Sequence, residues 1–342
     1  MAFMSKLFLY VLIAILGLWP SKAQSRTLHE APTMLEKHEQ WMSQFGRVYA
    51  NETEKQTRFA IFKSNLEYIE SVNRDGSKPY RLGLNAFADL TNEEFRTTRT
   101  GYKPSFHSKS SVRTSPFRYE NISEIPPSMD WRQKGAVTPI KYQGNCGCCW
   151  AFSAVAAVEG IHQLSTGSLT SLSEQELVDC VADNYGCKGG WMDTAFKYII
   201  QNNGLTTEDN YPYLAVDGTC DAGKASSPAA TITGYEDVPA NSESALLNAV
   251  AKQPVSVALE GSGKDFQFYS SGVFMGECGT ELTHAVTVVG YGIGEDGTKY
   301  WLIKNSWGTT WGEEGYMRIA REIDAAEGLC GIAKKASYPT AA

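Results

Sequence analysis

Between Glu52 and Asn73 the chain runs ETEKQTRFAIFKSNLEYIESVN, with Phe59, Phe62, Leu66 and Ile69 apolar at three- and four-residue spacing. That period predicts an amphipathic helix with one buried face. Glu54 stands four residues before Arg58, the order that favours an ion pair along a helix. After GLNAFAD comes a stretch rich in Ser, Thr, Arg and Lys, Thr97 to Ser115, with the composition of an exposed linker. The pattern changes near IPPSMDWRQKGAVTP. An apolar run from Cys149 to Leu164, a capping-box spacing from Ser173 to Glu176, and WMDTAFKYIIQNNG closing on Gly204 predict helices. AVTVVGYG, KYWLIKNS and GYMRIA then predict strands separated by Gly-rich turns. Helices followed by strands make the body an α+β fold in two lobes, with a cleft between them where active sites commonly lie.

The first residues follow another logic. Lys6 precedes a thirteen-residue apolar run, Leu7 to Trp19, and SKA ends at Ala23 as a small-residue cleavage site. Residues 1–23 are therefore expected to be a signal peptide, since that run is too short to span a bilayer. Once it is removed, no membrane association is expected. Charge divides the remainder: residues 24–124 hold 15 basic and 13 acidic side chains, net +2, and residues 125–342 hold 14 and 25, net −11. An acidic body argues against nucleic acid as a partner. Asn51 and Asn121 lie in N-x-[ST] sequons, possible glycan sites on a secreted chain.

All eight cysteines fall between Cys146 and Cys330. In an oxidising compartment an even number permits four bridges, and metal or CxxC redox sites are less expected. Three of the eight crowd into QGNCGCCWAFS, as Cys146, Cys148 and Cys149, and the residues alone leave open whether they are ligands, redox partners, bridge halves or a nucleophile. The stretch CGCCW resembles the C-G-[SA]-C-[WY] signature of papain-like cysteine proteases. His284 follows Cys149 by 135 residues and Asn305 by 156. TPIKYQGNCGCCWAFS, CKGGWMD, THAVTVVGYG and KNSWGTTWGEEGYMRIAR are similar to that family in family order. Glu54, Arg58, Ile61, Phe62, Asn65, Ile69 and Asn73 resemble its interspersed propeptide helix motif, and Gly83, Asn85, Phe87 and Asp89 its second propeptide motif.

The resemblance implies a papain-like two-lobe fold, a helical left lobe and a β-barrel-like right lobe, preceded by a helical propeptide: signal peptide 1–23, inhibitory propeptide 24–124, peptidase 125–342. It implies disulfides Cys146–Cys187, Cys180–Cys220 and Cys278–Cys330. Cys149 falls at the nucleophile, and Cys148 stands where the family usually has serine, as a reduced, buried bystander. His284 would be the acid–base, Asn305 would orient its ring, Trp307 would shield that bond, and Gln143 would donate to the oxyanion. Gly189 and Gly190 would form the strip for a substrate strand, and Trp191, Met192, Ala258 and Leu282 the walls of the main selective pocket, suited to an apolar residue two before the cut. Lys335 would be its floor, either laying its ammonium out in water or standing as a cation that repels Arg and Lys. The leader is expected to block the cleft and to leave at mildly acidic pH, with a cut near Ile125. The implied partners are peptide and protein substrates, the chain's own propeptide and cystatin-type inhibitors. No cofactor or metal is implied, and the enzyme is expected to be a monomer, in the vacuole or lysosome or outside the cell. Two other readings compete: a catalytically silent storage or binding relative, and a thiol–disulfide or metal protein centred on CGCC.

Overall fold

The computed structural model describes residues 32–103, 117–122 and 124–341, so the signal segment and residues 104–115 of the expected linker lie outside the described residues. The leader starts with α1 (Met34–Phe45), closed at its N-terminus by a Thr33/Glu36 capping box, and α2 (Glu52–Asp75), capped by Asn51. Phe62, Leu66 and Ile69 are buried on the face the period predicts, and Asn65 on that face donates to the carbonyls of Ala88 and Leu90. The expected Glu54–Arg58 pair does not form. Glu54 accepts from the Ala50 amide at its own helix start, and Arg58 pairs with Glu94 at 2.9 Å. Glu94 lies in α3 (Asn92–Arg99), which absorbs the beginning of the expected linker. Asn51 and Asn121 are exposed.

In the body, α4 (Cys149–Thr166) is apolar nearly all round and is the central helix of one lobe. α5 (Glu174–Cys180) and α6 (Met192–Gln201) belong to the same lobe, and α6 packs on α4. The predicted capping box is only half made: Ser173 accepts the Glu176 amide, but the Glu176 carboxylate turns inward to the Thr206 amide and the Tyr198 hydroxyl. Disulfides Cys146–Cys187 and Cys180–Cys220 lie in this lobe, and Cys278–Cys330 in the other.

The second lobe is built on a sheet. Its strands are β1 (Tyr80–Leu82), β2 (Met129–Asp130), β3 (Gly234–Asp237), β4 (Val255–Leu259), β5 (Tyr269–Phe274), β6 (His284–Ile293), β7 (Lys299–Lys304), β8 (Tyr316–Ala320) and β9 (Lys335–Thr340), in the order β1-β5-β8-β7-β6-β4-β9-β3, with β2 on β6. β5 and β8 run parallel and the other pairs antiparallel. The β-barrel-like expectation is corrected here. β1 and β3 end the path without pairing to each other, so the sheet stays open. β1 comes from the leader, pairing Tyr80 with Gly272 and Leu82 with Tyr269, and so covers an edge of the body's sheet. One continuous apolar core runs from Trp41 and Phe62 of the leader to Phe266, Trp307 and Trp311 of the body.

The lobes meet where α4 packs on β6, Ser153 donating to the Val286 carbonyl at 2.7 Å. Beside that contact Glu159, buried in α4, takes the Thr138 hydroxyl, the Leu172 amide and the Lys141 ammonium. Lys304, which ends β7 immediately before Asn305, lies 3.9 Å from the same carboxylate. These buried charges are paired, as burial requires.

Candidate active site

The site is built where α4 begins and β6 begins. Cys149 is the first residue of α4, where unpaired amides and the helix dipole favour negative charge. His284 is the first residue of β6, and the amide of the next residue, Ala285, points at Cys149 Sγ from 3.4 Å. His284 Nε2 lies 2.8 Å from Asn305 Oδ1, and the Asn305 oxygen can only accept, so Nε2 carries the proton. Nδ1 is buried with no hydrogen-bond partner. The Trp307 indole stacks on the imidazole, centroids 4.4 Å apart and planes inclined by 24°, and closes that pair off from water. Trp311 meets Trp307 edge-on at 5.0 Å.

Gln143 is fully buried. Its Oε1 accepts from Ser306, the neighbour of Asn305, at 2.6 Å, which turns Nε2 toward the carbonyls of Cys146 at 2.8 Å and Arg99 at 3.2 Å. Arg99 belongs to the leader. From there the leader continues through the cleft: Gly101 and Tyr102 donate to the Thr283 carbonyl, and the Gly190 amide donates to the Gly101 carbonyl at 2.9 Å. Tyr102 and Gly190 form a parallel bridge, and Trp191 Nε1 donates to the Lys103 carbonyl. The close fit requires glycine. A Cβ on Gly101 would lie 1.8 Å from the Gly147 oxygen, and one on Gly189 would lie 2.4 Å from the Gly101 oxygen. The linker expectation is thus corrected for Thr97 to Lys103. A polar composition hid the buried Arg99 and Tyr102, because the surface that buries them belongs to the body.

Burial beneath this segment pushes the Cys149 thiol up to about 11, against the pull of the Ala285 and Gly101 amides. Burial also drives the His284 imidazole down to about 4, with Asn305 opposing. With the leader in place both groups are therefore neutral. Cys148 and Cys149 are both free and buried, with no bridge between them. The Cys148 sulfur lies 2.9 Å from Tyr213 Oη, whose proton goes to the Gln143 carbonyl, so the thiol is the donor. Burial keeps its pKa far above the ordinary thiol value.

Tyr102, Met192 and Ala258 are buried in one extended apolar cluster, with Trp191 and Leu282 packed against it. Lys335 is not a lone cation: Asp193 Oδ2 stands 2.6 Å from its ammonium and Asp237 Oδ1 2.5 Å, and a quarter of its side chain is exposed. Burial opposes its charge, but the two carboxylates outweigh it and raise the lysine above its ordinary value. Among the described residues no cluster of His, Cys, Asp and Glu could hold a metal ion, and no helix is long and apolar enough to cross a membrane. Sequence reasoning missed Ser306, Tyr213, Asp193 and Asp237. All four act through contacts far apart in the chain, with no spacing to reveal them.

Residues 125–340 match the papain family cysteine proteases, and residues 38–95 match the cathepsin propeptide inhibitor domain. The chain belongs to the papain family of cysteine proteases. It is 57% identical over 321 residues to the senescence-specific cysteine protease SAG12 of Arabidopsis thaliana, covering 92% of this chain and 93% of that one. Among solved structures, a recombinant stem bromelain precursor superposes with a TM-score of 0.83 at 47% identity, covering 90% of this chain and 99% of its own. The ragweed pollen allergen Amb a 11, a cysteine protease in its proform, gives 0.83 at 44% identity, covering 90% and 95%. The papain-family membership accounts for a leader that lies in the cleft as a strand and covers the thiol.

Proposed function

We propose that the chain is the precursor of a cysteine endopeptidase, with residues 1–23 a signal peptide, residues 24–124 an inhibitory leader and residues 125–342 the peptidase. One observation carries this reading: the Arg99 carbonyl rests on the Gln143 amide beside Cys149, where the oxygen of a reacting peptide bond would rest. The leader occupies the substrate's place in reverse. In a substrate, the residue in the selective pocket comes two before the bond that is cut. Here Tyr102, in the pocket, follows Arg99 and Gly101 along the chain. No scissile bond is thereby presented to the thiol.

Once the leader leaves, the cost of burying charge falls and a proton passes from Cys149 to His284 Nδ1. Thiolate and imidazolium then stabilise each other, and the N-terminus of α4 adds to the first. The thiolate attacks the peptide carbonyl, and the oxyanion is held by Gln143 Nε2–H and the Cys149 amide. His284 gives its proton to the leaving amine, leaving a thioester. It then takes a proton from the water that hydrolyses the thioester. Asn305 and Trp307 hold the ring in orientation throughout. Gly189 and Gly190 receive the substrate strand as they receive the leader, and the pocket walls favour an apolar body in the side chain two before the cut. The enzyme is a secretory-pathway monomer acting in the vacuole or outside the cell, open to cystatin-type inhibitors once the cleft is clear.

Gln143→Ala tests the site. Losing one oxyanion donor should lower kcat about 10²- to 10³-fold with little change in KM. Assay of the matured variant on a fluorogenic peptide gives both constants, and an unchanged kcat would remove Gln143 from the mechanism.

A further inference from the structure

The two donors assigned to the oxyanion come from different parts of the molecule. Cys149 and its amide belong to the first turn of α4, in the helical lobe. Gln143 is held from the other side. Its amide donates to the Ser306 carbonyl at 2.9 Å, and its Oε1 accepts from the Ser306 hydroxyl. The adjoining Tyr142 forms an antiparallel bridge with Trp307. Those contacts register Gln143 against Asn305 and Trp307, not against Cys149. A further bond ties it to α4. The Gln143 carbonyl accepts the Tyr213 phenol at 2.7 Å, and the phenol oxygen takes the thiol of Cys148, the residue that precedes α4, at 2.9 Å. The Tyr213 ring stands edge-on to Phe152 of α4, centroids 5.0 Å apart and planes inclined by 86°. Its amide donates to the Glu208 carboxylate at 2.9 Å. Next to Gln143, Gly144 lies so close to this loop that a Cβ on it would stand 3.1 Å from the Ala215 Cβ. Gln143 and Cys148 are fully buried, so water does not simply replace a bond lost between them.

We propose that Tyr213 is a positioning residue for the oxyanion site: its hydroxyl, set between Cys148 and Gln143, holds the Gln143 side-chain amide in register with the Cys149 amide. This deepens the peptidase reading and rests on it. Tyr213 acts through Gln143 and not on the substrate. The oxyanion needs both donors to converge on one oxygen, and the charge on that oxygen develops only in the transition state. A donor that drifts with the sheet lobe therefore costs transition-state stabilisation and leaves binding of the neutral peptide largely intact. Loss of the phenol is felt in kcat and not in KM.

The test is a cycle of acid-matured enzymes assayed on one fluorogenic peptide, with active sites counted by epoxide labelling of Cys149. Tyr213→Phe keeps the ring on Phe152 and removes the hydroxyl. Its kcat should fall about tenfold, with KM within about twofold of the wild type. The double variant Gln143→Ala/Tyr213→Phe should match Gln143→Ala alone to within about twofold, because the phenol then has no donor to position. Cys148→Ala, which removes the donor behind the phenol, should lower kcat about threefold, and Cys148→Ser should restore it. An unchanged kcat in Tyr213→Phe overturns the proposal. So does a double variant slower than Gln143→Ala by the full tenfold, since the phenol would then support the fold at large. Should Tyr213→Phe not fold, the Cys148 pair decides, and equal kcat in Cys148→Ala and Cys148→Ser overturns the proposal. Failure of the peptidase reading itself would look different: a wild type that cleaves no peptide and takes no label on Cys149.

Discussion

Cys149→Ser should yield a folded precursor that hydrolyses nothing, with kcat/KM down by at least about 10⁴-fold. The serine hydroxyl fits the volume of the thiol and can still accept the Ala285 amide, so α4 and the buried Trp150 and Phe152 beside it keep their packing. What is lost is the anion. A hydroxyl does not yield its proton to an imidazole as a thiol does, and no charge forms for the helix N-terminus to stabilise. The neighbouring Cys148→Ser makes the control. A serine there can still donate to Tyr213, which ties it to the Gln143 loop, so most activity should survive. Circular dichroism shows whether both variants fold, and a peptide assay after acid treatment separates them. Activity in Cys149→Ser together with loss in Cys148→Ser would reverse the assignment.

The second large effect concerns release of the leader. His38 in α1 is fully buried against Trp41, Tyr49, Phe59 and Phe62, and neither ring nitrogen has a hydrogen-bond partner. Burial lowers its pKa from 6.5, with Glu39 and Asp89 favouring the proton and Lys55 opposing it. The unfolded leader takes up a proton as pH falls through about 6.5, while the folded leader resists until a lower pH. Its stability is thus full above that value and declines as pH drops below it. Glu94 adds a later step. Arg58 holds its carboxyl below 4.5, so that contribution is present above the ordinary value and is lost as pH falls through the lowered one. His38→Phe keeps the aromatic packing and removes the proton. Maturation at pH 5 should then slow by about tenfold for each unit by which His38 is depressed, with latency at neutral pH unchanged. An identical pH profile in the variant would clear His38 of any part in release.

Much of this arrangement was legible in the residues. The three-and-four spacing of Phe62, Leu66 and Ile69 marks the buried face of α2, and the apolar run after Cys149 marks α4. The order of cysteine, histidine and asparagine marks the family. What could not be read depends on the choice among distant partners. Arg58 has Glu54 one helical turn away and Glu94 36 residues away, and only packing of α3 against α2 decides for the second. Lys335 is 98 residues from Asp237 in sequence and 142 from Asp193, so no local spacing reveals its two ion pairs. Thr97 to Lys103 has the polar composition of a linker, yet its backbone fills the cleft, because a surface elsewhere in the chain determines its burial. The sheet remains open because closure needs β1 and β3 to meet, and strand patterns carry no record of that.

The central claim is that Cys149 is a nucleophile sealed by the leader and freed in acid. Mass spectrometry after treatment with a thiol-directed epoxide tests it in one comparison, precursor at neutral pH against the acid-matured protein. The account predicts one adduct per matured molecule, on Cys149, none on Cys148, and an unlabelled precursor. An adduct on Cys148, or equal labelling of Cys149 with residues 99–102 still in the cleft, would contradict it.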